Sequence, residues 1–94
     1  MRLTQRQIQI IVQSVRRYLG ATARMWLFGS RLDDQKRGGD VDIYVEAPPH
    51  PLMQELRLKL ELEASLDMPV DLTVRETGAQ APIARIAKTG GVVL

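Results

Sequence analysis

The chain reads as an α/β (α+β) protein: a small mixed β-sheet with helices packed mainly on one face. Three observations predict this. A capped stretch with helical apolar spacing opens the chain, from Thr4 to Gly20. Two short segments, Val41–Val45 and Val70–Val74, set aliphatic residues against acids with a period of two. Between them lies a leucine-rich stretch filled with Arg, Lys and Glu, which are strong helix formers.

The first helix has clear ends. Thr4 is the expected N-cap, with Gln7 three residues on as in a capping box. Leu3 and Ile8 are spaced for a hydrophobic staple. Ile8, Ile11, Val12, Val15 and Leu19 share one face, which should cover the sheet. Gly20 suits the position after the last turn. Ala23–Phe28 is apolar on both faces, as a central strand requires. Gly29 and Ser30 end it. The polar stretch from Arg31 to Gly39 should begin as a short helical turn and finish as a loop, followed by the strand Val41–Val45. Pro48, Pro49 and Pro51 then break the chain, with His50, the single histidine, read as a turn residue.

Leu56, Leu58, Leu60 and Leu62 alternate as in a strand, but few neighbours are β-branched, so Leu52–Leu66 is read as a helix. Leu52, Met53, Leu56 and Leu60 form one apolar face, expected to meet the sheet. Leu58, Leu62 and Leu66 lie roughly opposite. They are expected to pack on another helix or to form an exposed docking stripe for a protein partner. Pro82 opens a last helix with Ile83, Ile86 and Ala87 inward, Gly90 and Gly91 end it, and Val92–Leu94 adds an edge strand. No repeat, linker or low-complexity segment divides the 94 residues, so one domain spanning 1–94 is expected.

Composition excludes several classes. The chain has no cysteine, so disulfides and thiolate metal sites are absent, and one histidine does not make a zinc centre. No run reaches membrane-spanning length and nothing resembles a secretory signal, which fits a cytoplasmic protein. The net charge is only +2, with scattered basic residues and no stacking aromatics, so no direct nucleic-acid binding is expected.

The acids carry the chemistry. Asp40 and Asp42 share the strand face opposite Val41, Ile43 and Val45, and lie roughly 6 to 7 Å apart along the strand. Asp71 opposes Val70, Leu72 and Val74 in the same way. If the two strands are neighbours, three carboxylates converge, and such a cluster repels itself unless a cation sits in it. Magnesium is typically held by one or two carboxylates, waters and substrate phosphates. A pair of ions can stabilise the attacking and leaving oxygens of an in-line phosphoryl displacement. Asp71 can complete the site by holding the second ion or by accepting a proton, and spacing alone does not choose between these roles. Gly29 permits close approach of a phosphate, the Ser30 hydroxyl can bind it, and Arg31 can add charge. Lys36 and Arg37 are read as solvated loop residues, and Asp33 and Asp34 as turn acids.

Leu27-Phe28-Gly29-Ser30-Arg31, followed by Gly39-Asp40-Val41-Asp42-Ile43-Tyr44-Val45, resembles the signature of the DNA polymerase β-like nucleotidyltransferase superfamily. Asp71 matches its third acid in order and strand context. The small size resembles the minimal nucleotidyltransferases, the MNT proteins. The resemblance implies the polymerase β-like palm core. It implies transfer of a nucleoside monophosphate, AMP in this group, from ATP or another NTP to a hydroxyl, with pyrophosphate released. Asp40, Asp42 and Asp71 would be catalytic and metal-binding, two Mg2+ ions being expected, and Gly29, Ser30 and Arg31 nucleotide-binding. It further implies a HEPN-domain toxin as partner, with this chain as antitoxin, acting by binding the toxin or by adding AMP to it (AMPylation). Two rival readings are a stand-alone enzyme acting on a small hydroxyl compound and a non-catalytic antitoxin acting by binding alone. A homo-oligomer is compatible with each.

Overall fold

The computed structural model of the chain describes residues 3–28, 41–78 and 91–94. Helix α1 spans Gln5–Leu19, strand β1 Arg24–Phe28, strand β2 Val41–Ala47, helix α2 Leu52–Leu66, strand β3 Val70–Glu76 and strand β4 Val92–Val93. The expected last helix around Pro82 falls outside the described residues, as does the expected helical turn and loop after Ser30. Among the described residues no helix is long and apolar enough to cross a membrane.

The local signals at α1 act as their chemistry dictates. The Gln7 backbone N–H donates to the Thr4 hydroxyl at 3.1 Å, and the Thr4 N–H donates to the Gln7 side chain at 2.7 Å. The helix ends at Gly20, where φ is 111°, a region open to glycine but strained for other residues. The Gly20 N–H still reaches the Arg16 carbonyl at 3.1 Å.

The strands form one mixed sheet in the order β3-β2-β1-β4. β1 runs antiparallel to β2 and to β4, and β2 runs parallel to β3. Parallel neighbours need a crossover, and α2 supplies it. Both helices lie on one side of the sheet. Ile11, Val15 and Leu19 of α1 meet Leu58, Leu62 and Leu66 of α2 above Met25, Leu27, Val41, Ile43, Val45, Val70 and Val74, all buried.

The orientation of α2 reverses the expectation. Leu58, Leu62 and Leu66 are buried against α1 and the sheet, so of the two readings of this stripe the packing on another helix holds and the docking stripe does not. Leu52, Met53, Leu56 and Leu60 point to solvent. Both sets follow the same helical spacing, so periodicity does not distinguish them. The tether does. Asp67 adopts a left-handed conformation (φ 55°) and turns the chain from Leu66 directly back into β3, which holds Leu66 over the sheet and carries Leu62 and Leu58 in with it. On the flank facing α1, Glu61 accepts a hydrogen bond from the Tyr18 hydroxyl at 3.0 Å and pairs with Arg17 at 3.7 Å.

β3 is the outer strand on its side. Pro69 C=O and Thr77 N–H bond to β2, so the backbone groups of Val70, Leu72 and Val74 face outward by alternation. Two of them are occupied by side chains. Val70 N–H donates to Glu63 at 3.0 Å, and Val74 C=O accepts from Arg75 at 2.9 Å. Such contacts blunt an edge against strand addition.

Candidate active site

The face of the sheet away from the helices carries the acids. Asp42 and Asp71 occupy the same register position on the adjacent parallel strands β2 and β3. Partners at one register share a face and sit about 4.8 Å apart across a sheet. Asp42 is half-buried and Asp71 exposed, which suits a site open to a substrate at the sheet edge. On the other side of Asp42 stands Phe28, the last residue of β1. The chain therefore leaves β1 and enters β2 at the end of the sheet where both acids lie.

Asp40, Gly29, Ser30 and Arg31 lie outside the described residues, as do Asp33, Asp34, Lys36 and Arg37. Of the six predicted site residues, the structure thus places two, and it brings those two together. Two carboxylates at one register repel each other, and a cation between them relieves that repulsion. Among the described residues no group of three metal-binding side chains occurs. The donor set of Asp42 and Asp71, all oxygen and open at one edge, fits a hard divalent ion that also binds phosphate and water.

Behind Asp42 the same face closes. Tyr44 and Glu46 continue the alternation that begins at Asp42, and both are buried. The Tyr44 hydroxyl donates to Glu46 Oε2 at 2.8 Å, and the Gly78 N–H donates to Oε1 at 3.5 Å. Burial pushes the Tyr44 phenol up to about 12, helped by the hydrogen bond and charge of Glu46 and opposed by the charge of Arg75. Trp26, opposite Tyr44 on β1, packs against it with ring centroids 5.6 Å apart. This aromatic and carboxylate floor was not among the predicted functional residues. Its signal was present, because Asp42, Tyr44 and Glu46 follow one another at strand spacing. Trp26 thus packs β1 against β2, and Glu46 reaches Gly78 just beyond the end of β3.

His50 occupies the predicted turn but also makes two short contacts. Nδ1 lies 2.7 Å from the Pro48 carbonyl and Nε2 lies 2.7 Å from Glu55 Oε2. Both partners are acceptors, so only the doubly protonated ring satisfies both. The Pro48 carbonyl raises the His50 pKa most, burial opposes it, and Glu55 raises it further. The residue ties the β2–α2 turn to the first turn of α2, at the opposite end of β2 from Asp42.

A mixed sheet with helices on one side and paired acids on the other is a scaffold for transfer chemistry at the sheet edge. Residues 8–93 match the family described as the nucleotidyltransferase domain, and the chain belongs to that family. The chain is thus a nucleotidyltransferase domain, and the family generally uses a nucleoside triphosphate with divalent metal ions. No curated protein matches the chain.

Proposed function

We propose that this chain moves AMP from ATP to a hydroxyl on a HEPN-domain toxin and so acts as the antitoxin of a cytoplasmic pair. The observation that supports the transfer step is the shared register of Asp42 and Asp71 at the sheet end where residues 29–40 join β1 to β2, while AMP, the toxin partner and the antitoxin role rest on the sequence resemblance.

The chemistry is a substitution at the α-phosphorus. The acceptor oxygen forms a bond to phosphorus, the bond to the bridging oxygen of pyrophosphate breaks, and pyrophosphate leaves with that electron pair. Asp40 and Asp42 would hold magnesium. Asp71 is exposed on the outer strand, and there it would meet the acceptor and hold a second ion or take the hydroxyl proton. Gly29, Ser30 and Arg31 would bind the triphosphate. Bound magnesium would neutralise the phosphate oxygens and polarise the reacting phosphorus.

The test is incubation with labelled ATP, magnesium and the product of the adjacent gene. Label on that product with wild type, and none with Asp42→Asn, supports the proposal. Association without label shows neutralisation by binding alone. Transfer to a small alcohol with no protein labelled shows a stand-alone enzyme.

A further inference from the structure

The outer face of α2 is apolar where a soluble surface helix is normally charged. Leu52 is 77% exposed, Met53 55%, Leu56 52% and Leu60 57%. With Leu72 of β3, Leu52 and Leu56 line one cleft, and Glu55 and Lys59 flank it. These side chains make a patch on the order of 400 Å2, the size of the largest apolar patch on a typical monomer, which is often functional.

We infer that this face is an isologous interface, on which α2 of a second copy of this chain packs antiparallel across a two-fold axis at Leu56. Three features select a second copy. The first is the spacing. Leu52, Leu56 and Leu60 are evenly spaced and read the same in either direction, as a two-fold axis demands. Turning one helix about Leu56 sets Leu52 against the other copy's Leu60 and Leu56 against itself, over a span of about 12 Å. The second is charge. Glu55 and Lys59 lie on the same flank of the patch, one helical turn apart. Antiparallel packing brings each Glu55 to the other copy's Lys59, giving two identical ion pairs. His50 holds only the Oε2 oxygen of Glu55. The third is area. A standard interface buries about 800 Å2 per partner, and the patch supplies about half of that as apolar surface.

The contact uses the helix side of the domain. Asp42 and Asp71 lie on the opposite face of the sheet, so pairing leaves them accessible. Strand addition at β3 is the other route to a dimer, but Glu63 and Arg75 already occupy two of its outward backbone groups. The inference does not depend on the proposed transfer reaction.

The full chain has no cysteine, which makes a single introduced one diagnostic. Only a residue near a two-fold axis meets its own copy. Leu56→Cys treated with a short bismaleimide should give a covalent dimer, whereas Ala64→Cys, on the same helix beyond the patch, should not. Sedimentation equilibrium of the wild type should show a dimer. Leu56→Glu places two like charges face to face and should raise the dissociation constant at least ~100-fold. Its circular dichroism should stay unchanged, because the position is half exposed. Glu55→Lys should weaken the dimer, and adding Lys59→Glu should restore it. A wild type that is monomeric at every concentration overturns the inference. So does a dimer unaffected by Leu56→Glu, or cross-linking at Ala64→Cys equal to that at Leu56→Cys.

Discussion

The reversal of α2 has a measurable consequence in two leucines of the same helix. Leu62 is fully buried against α1 and the sheet, whereas Leu52 is 77% exposed. Truncating Leu62 to alanine removes buried carbons and leaves a hole that the packed core fills only in part. Such a change costs about 2–5 kcal/mol. The whole chain, at about 0.05–0.15 kcal/mol per residue, has only about 5–14 kcal/mol of stability. Leu62→Ala therefore removes at least about a seventh of it and lowers the melting midpoint by roughly 8 °C or more. Leu52→Ala exposes little new surface and gains helix propensity, so its cost stays within about 0.5 kcal/mol. Urea unfolding followed by circular dichroism reads both, at a protein concentration low enough to suppress self-association. Equal losses, or a larger loss at Leu52, would refute the orientation of α2 described above.

The other predictions concern the floor, the turn and the acids. Tyr44→Phe removes the buried hydrogen bond from the Tyr44 hydroxyl to the Glu46 carboxylate and should cost about 1–3 kcal/mol in thermal or urea unfolding. The Tyr44 phenol sits at about 12 in the folded chain against about 10 when unfolded, so its contribution is complete below pH 10 and lost as pH rises from 10 to 12. Stability curves of Tyr44→Phe should lack that fall. His50 is raised, so its contribution is complete below about pH 6.5 and is lost as pH rises through the higher folded value. Substitution by glutamine should flatten this slope in melts recorded from pH 5 to 8. Asp71→Asn should lower nucleotide transfer by about 10²–10⁴-fold while leaving the melting midpoint nearly unchanged, since the side chain is exposed. A Thr4→Ala chain should lose about 1 kcal/mol of stability to unfolding by urea, because the Gln7 N–H loses its cap.

What could be read from the residues alone was local. Thr4, Gln7 and Gly20 act within a few residues of one another, so the bounds of α1 follow from side chains next to the backbone they cap. The alternation around Asp42 and Asp71 is equally local and assigns each acid to one face of its own strand. Leu52–Leu66 was legible as a helix from its composition, although its leucines alternate. The adjacency of β2 and β3, their parallel direction and the shared register of the two acids depend on the crossover through α2, which joins residues far apart in the chain. The inward face of α2 depends on the same crossover, because two leucine rows of equal period are equivalent until the turn at Asp67 ties one of them to the core. Short-range chemistry thus decides where elements begin, end and alternate. Long-range burial decides which faces meet, because only the assembled sheet and helices define an inside.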